Sequence, residues 1–190
     1  MINWRMRHMK NYRGQCNNVE KSIVLIGFMG CGKSTVGSRL SYRMRIPMED
    51  TDKIIEREQG VTIGEIFAQK GEETFREMET ELLSRLAERK CVRIISVGGG
   101  TPVREENRAL LKKCGTVFYF RLKPESVYKR LKGDTTRPLL QCEEPLERIR
   151  MLLEQRSVAY EESADYIIDV DELSVDQVVD RVLNCLDRKM

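Results

Sequence analysis

Ile23-Val24-Leu25-Ile26-Gly27-Phe28-Met29-Gly30-Cys31-Gly32-Lys33-Ser34-Thr35 is the stretch that decides the fold. A short apolar run enters G-x-x-x-x-G-K-[ST], and a helix-like pattern follows, which is the strand–loop–helix setting a phosphate-binding loop requires. Glycine lets the loop backbone take conformations that a side chain forbids. The amides around Gly30, Cys31 and Gly32 then turn inward onto phosphate oxygens, and the next helix adds its positive N-terminal end. Lys33 is expected to reach the β- and γ-phosphates, the Ser34 hydroxyl to ligate Mg²⁺, and Thr35 to hold the α-phosphate side. A nucleoside triphosphate and Mg²⁺ follow from the loop; the acceptor does not. Cys31, among amides and beside Lys33, reads either as a redox-sensitive thiol or as a small residue in a variable slot, and the second is expected.

Outward from the loop, apolar strand-like runs at 22–27, 46–49, 92–97, 116–121 and 165–169 alternate with amphipathic stretches. The latter lie at 33–44, 52–59, 63–69, 72–89, 104–112, 124–132, 145–160 and 174–188. This alternation predicts an α/β fold, a five-stranded parallel sheet with helices on both faces. Thr62-x-x-Glu65 and Ser174-x-x-Gln177 read as capping boxes, Pro124 suits a first helical turn, and Gly71 and Gly115 suit breaks between elements. Residues 133–144 lack periodicity and carry turn formers, which in a compact domain marks a functional or disordered loop.

The 190 residues suit one domain with a full-sized core. No apolar run is long enough to span a bilayer, and the basic, polar start lacks the apolar stretch of a secretory signal. The net charge of +3 is uneven: Arg5, Arg7, Lys10, Arg13 and Lys21 face only Glu20 among residues 1–21, and the remainder is near neutral. Five scattered cations are a weak nucleic-acid footprint. The expectation is a basic, disordered arm over 1–20 ahead of a catalytic domain over 21–190, with neither a nucleic-acid nor a membrane partner. Cysteines at 16, 31, 91, 114, 142 and 185 form no C-x-x-C pair and His8 is the sole histidine, so a zinc site is not expected. Cys91 and Cys114, beside strand-like runs, read as small buried hydrophobes, and the cysteine usage as that of a reducing cytoplasm.

The acceptor site should lie off the carboxyl ends of the strands. Asp50 and Asp52 end the second strand, where alternate residues of an extended segment share a face. One carboxylate could orient Mg²⁺ through water and the other orient or deprotonate a hydroxyl; a helix cap is an equally good reading of either. Gly98-Gly99-Gly100 ends the third strand and permits close backbone approach to a ligand. Arg76, Arg137 and Arg156 are three arginines among many, and spacing alone does not select them.

Taken together, the P-loop, Asp50-Thr51-Asp52, Phe75-Arg76, Gly98-Gly99-Gly100, Thr136-Arg137-Pro138-Leu139-Leu140 and Arg156 with Tyr160 stand in the order and rough spacing of the shikimate kinase family, which the chain resembles over about residues 22–188. The resemblance implies a three-layer αβα P-loop kinase fold with a mobile lid at about 133–144, and transfer of the γ-phosphoryl of ATP to the 3-hydroxyl of shikimate. It further implies that Asp52 binds the ring hydroxyls and orients or deprotonates the attacking one. Arg76 and Arg156 hold the carboxylate, to which a forked guanidinium is suited, and Gly99, between Gly98 and Gly100, offers its backbone to the substrate. Asp50 acts on Mg²⁺ from the second coordination sphere, Arg137 closes over the phosphates from the lid, and Arg130 stacks on adenine. A monomer is expected. The chain departs from the family in its basic arm and in Asp171-Glu172-Leu173, where some relatives place a basic residue near adenine.

Overall fold

The computed structural model describes residues 21–132 and 143–187. The expected arm over 1–20 and most of the expected lid, Arg137 included, lie outside the described residues. The strands are β1 (Ser22–Ile26), β2 (Met48–Asp50), β3 (Ile94–Ser96), β4 (Gly115–Arg121) and β5 (Tyr166–Asp169), in the all-parallel order β2-β3-β1-β4-β5. The helices are α1 (Lys33–Met44), α2 (Thr51–Gln59), α3 (Ile63–Ala87), α4 (Glu105–Cys114), α5 (Pro124–Leu131), α6 (Pro145–Ser163) and α7 (Val175–Asp187), and a 3-10 turn spans Thr101–Val103.

Parallel strands covered on both faces read as continuous apolar runs. Accordingly all of β1 is buried, as is β4 up to Arg121. Helices α1 and α7 pack on each other, touching β1–β3 and β5 respectively; α3, α4 and α6 form a second group that meets the sheet at β1 and β4. This is the three-layer α/β arrangement expected. The order reverses at β1, between β3 and β4, and at such a switch point the strand ends open a crevice. The P-loop leaves β1 into it.

Local chemistry explains the boundaries. Thr62 and Glu65 form a reciprocal capping box, Ser174 and Gln177 bond each other in the same manner, and Pro124 opens α5. The stretches 63–69 and 72–89 are one helix interrupted at Gly71, whose φ of 84° breaks the helical path. The second strand is Met48–Asp50 rather than 46–49: Ile46 packs in the core, and pairing with β3 begins at Met48. Cys114 is buried as expected. Cys91, however, is exposed, because it precedes β3 in an open turn.

Candidate active site

The P-loop joins β1 to α1 with Gly27, Gly30 and Gly32 all at positive φ. A Cβ on Gly27 would sit 2.7 Å from the Phe120 carbonyl oxygen, so the strand-to-loop transition admits only glycine. Lys33, the first residue of α1, donates from Nζ to the carbonyls of Gly27 (2.7 Å) and Phe28 (3.1 Å) and lies 3.6 Å from the buried Cys31 Sγ. Ser34 and Thr35 are exposed at the helix N-terminus. Arg130 on α5 donates to Gly30 O (3.2 Å) and Val170 O (3.0 Å), tying the loop to the chain beyond β5. Asp171 in turn accepts from the Lys123 amide at 3.0 Å.

Asp50 caps a helix and also faces the phosphate loop. It is the N-cap of α2, accepting from the Lys53 amide, and its Oδ2 accepts from Ser34 Oγ at 3.0 Å. A hydroxyl and a carboxylate thus meet beside the phosphate loop, the hard oxygen donors that Mg²⁺ requires. Contrary to expectation, Asp50 and Asp52 do not share a face of one extended segment. Asp50 is extended (φ −109°, ψ 119°), but Asp52 lies in the first turn of α2. The cap at Asp50 starts the helix, and Asp52 Oδ1 lies beside Gly98.

The Gly98–Gly100 turn is crowded at Gly98 and Gly100, whereas a Cβ on Gly99 would make only ordinary contacts. A Cβ on Gly98 would stand 2.6 Å from Glu79 Oε1 and 2.8 Å from Asp52 Oδ1; on Gly99, 3.4 Å from Gly27 O; on Gly100, 2.4 Å from Arg76 Nη1. The turn is also fixed by its own bonds: the Gly98 amide to Thr51 Oγ1 (3.2 Å), Thr101 N to Gly98 O (3.2 Å) and Val103 N to Gly100 O (3.0 Å). It is therefore a fitted junction between the P-loop, Asp52 and Arg76 rather than a flexible link.

Arg76 begins the second half of α3, just past the break at Gly71. It pairs with Glu79 and Glu72, each at 2.6 Å. Burial pulls the Arg76 pKa down, but the Glu79 and Glu72 carboxylates outweigh it and leave the guanidinium more firmly protonated than usual. Glu79, its side chain 1% exposed, also accepts from Thr101 Oγ1. Nothing in the composition singled Glu79 out. The available signal was its place three residues after Arg76, on the same helix face.

Arg156 on α6 reaches the other side of the turn, 3.4 Å from Gly99 O, with its guanidinium carbon 5.8 Å from the centre of the Phe28 ring of the P-loop. Tyr160, one turn later, donates to the same carbonyl at 2.5 Å and stacks on Tyr119, with ring centres 5.0 Å apart. The structure thus gathers Lys33, Ser34 and Asp50 on one side of the glycine turn and Asp52, Arg76 and Arg156 around it. Two arginines and a carboxylate beside a phosphate loop can bind an anionic polyol and direct one hydroxyl toward a phosphoryl group.

Among the described residues, no helix is long and apolar enough to cross a membrane. The family model for shikimate kinase matches residues 29–187. A shikimate kinase of Thermodesulfovibrio yellowstonii is 40% identical over 168 residues, covering 88% of this chain and 96% of the relative. One from Neisseria meningitidis serogroup C is 38% identical over 161 residues, covering 85% and 90%. The solved shikimate kinase of Acinetobacter baumannii in complex with shikimate superposes with a TM-score of 0.85 at 35% identity, covering 90% of this chain and 96% of that one. A gluconokinase of Sinorhizobium meliloti, at 19% identity and TM-score 0.58, shares the fold alone. With its parallel sheet, P-loop and arginine-flanked glycine turn, the chain belongs to the shikimate kinase family.

Proposed function

We infer that the chain transfers the γ-phosphoryl of ATP to the 3-hydroxyl of shikimate, giving shikimate 3-phosphate and ADP. The observation that carries this reading is the convergence of Asp52, Arg76 and Arg156 on one glycine turn that also abuts the P-loop. Arg76 and Arg156 bind the ring carboxylate. Asp52 takes the ring hydroxyls and orients the attacking one, holding or accepting its proton. The Gly99 backbone, between Gly98 and Gly100, lines the acceptor. On the donor side, the amides from Gly30 through Gly32, with Lys33 and Thr35, bind the triphosphate, and Arg130 flanks the adenine.

Ser34 and Asp50 suit Mg²⁺, Ser34 as direct ligand and Asp50 through water; when bound, the ion neutralises charge on the phosphates. Phosphoryl transfer asks for in-line positioning and charge neutralisation more than covalent help. Arg137, from the segment 133–144, supplies positive charge to the transferring group. The protein acts as a cytoplasmic monomer, without nucleic-acid partners.

A coupled ADP-release assay with shikimate, gluconate and nucleoside monophosphates tests the reading. Turnover with shikimate alone is expected; its absence overturns the function. In the same assay Arg156→Ala chiefly raises the KM for shikimate, and Arg137→Ala chiefly lowers kcat. An exchange of those two patterns refutes the assigned roles.

A further inference from the structure

The Gly99 carbonyl has two donors of unequal quality. Tyr160 Oη approaches at 2.5 Å, whereas Arg156 Nη1 stands at 3.4 Å, the outer limit of a hydrogen bond. Tyr160 is fully buried and held by its stack on Tyr119, so its hydroxyl has a fixed direction. Burial raises its pKa, so it stays a proton donor across the working range. A carbonyl in a partly buried site that loses its partner seeks another, because leaving the bond unmade is costly. Here the nearest other donor is the arginine assigned to the substrate carboxylate.

We propose that Tyr160 is a positioning residue for acceptor recognition: its hydroxyl donates to the Gly99 carbonyl and lies against the Arg156 guanidinium, and so keeps that guanidinium directed at the shikimate carboxylate rather than at Gly99 O. The inference rests on the shikimate reading above. The same bond fixes the Gly99–Gly100 peptide plane, so the tyrosine sets both the arginine and the turn it borders. Without the hydroxyl, Arg156 closes onto Gly99 O, and substrate must displace it before binding.

Tyr160→Phe keeps the aromatic stack and removes the hydroxyl, with both its donation to Gly99 O and its contact with Arg156. The KM for shikimate is expected to rise about ten-fold, the size of one hydrogen bond that orients a charged partner. The kcat and the KM for ATP should stay within about two-fold, because binding and not the transfer step is affected. Three readouts separate this from a general structural effect. Shikimate methyl ester, which lacks the anionic group, should lose little on going from wild type to Y160F. In an Arg156→Ala background, Y160F should add no further penalty. With p-aminophenylalanine at position 160, a donor is restored and so is the KM. An equal penalty with the ester, an additive effect in the Arg156→Ala background, or no rescue by the amine overturns the proposal. Should Y160F melt below the assay temperature, the p-aminophenylalanine protein decides alone: a KM near that of wild type supports the proposal and a ten-fold higher one overturns it. Failure of the wild type to phosphorylate shikimate is a different result, and it refutes the functional reading instead.

Discussion

Glu79→Gln removes one charge from the interior and leaves the side chain's shape. In the wild type this carboxylate, almost wholly buried, holds Arg76 at 2.6 Å and accepts from Thr101. Truncating one partner of a buried pair costs about 3–5 kcal/mol when the other charge is stranded. Arg76 is not fully stranded. It keeps Glu72 at 2.6 Å, and its own side chain is 15% exposed. The amide can still serve Thr101. A loss of about 2 kcal/mol is therefore expected, below the stranded-charge range and near the value of a charged hydrogen bond. For a domain of this size that corresponds to a fall in Tm of about 4–8 °C. The freed guanidinium swings toward Glu72 and solvent, so the KM for shikimate rises about ten-fold while the KM for ATP holds. Differential scanning fluorimetry reads the first effect and steady-state kinetics the second. A protein that melts as the wild type does, with an unchanged KM for shikimate, would falsify the claim that Glu79 sets Arg76.

Asp50→Asn separates the two tasks of Asp50: asparagine caps helices as well as aspartate does, so Tm should move little, while half-maximal activity should require about ten-fold more Mg²⁺; an unchanged Mg²⁺ titration removes Asp50 from the metal site. Gly115→Ala places a Cβ 2.0 Å from the Ser22 carbonyl oxygen, where β1 and β4 begin to pair, and should cost about 1–3 kcal/mol by overpacking; an unmoved urea midpoint would contradict that geometry. Burial pushes the Cys114 thiol up to about 11, so at pH 8 it should resist alkylation in the native protein while exposed Cys91 reacts. Peptide mapping after brief iodoacetamide treatment distinguishes them, and equal labelling of the two would show that Cys114 is not shielded.

The parallel sheet, the P-loop and the helix caps were legible because each depends on neighbours in sequence. A hydrophobic run, a glycine spacing or a Thr-x-x-Glu pattern carries its meaning within a few residues. Arg76 and Arg156 were different. Many arginines compete at that level, and only the resemblance to a family selected these two. Glu79 escaped because its significance lies in a contact with Thr101, 22 residues away, and in a burial that no local pattern announces. The assignment of Asp50 and Asp52 to one extended face failed for a related reason. The cap at Asp50 ends the strand and starts the helix, so a period of two does not carry past it. Cys91 was misplaced because an apolar neighbour in sequence does not bury a residue that lies before its strand begins.

The seam between Gly99 and the P-loop carries a consequence for how such an enzyme can diversify. A Cβ at position 99 would stand 3.4 Å from Gly27 O and 3.6 Å from Met29 N, with the Tyr160 hydroxyl at 3.7 Å, so the glycine turn and the P-loop meet largely through main chain. Mutation can alter a side chain readily and a main-chain wall hardly at all. The spacing between the turn and the loop is thus held nearly constant while the rim residues drift. If Asp52, Arg76 and Arg156 hold the acceptor as proposed, new acceptor preferences are expected to arise by exchanging them rather than by rebuilding the main-chain wall.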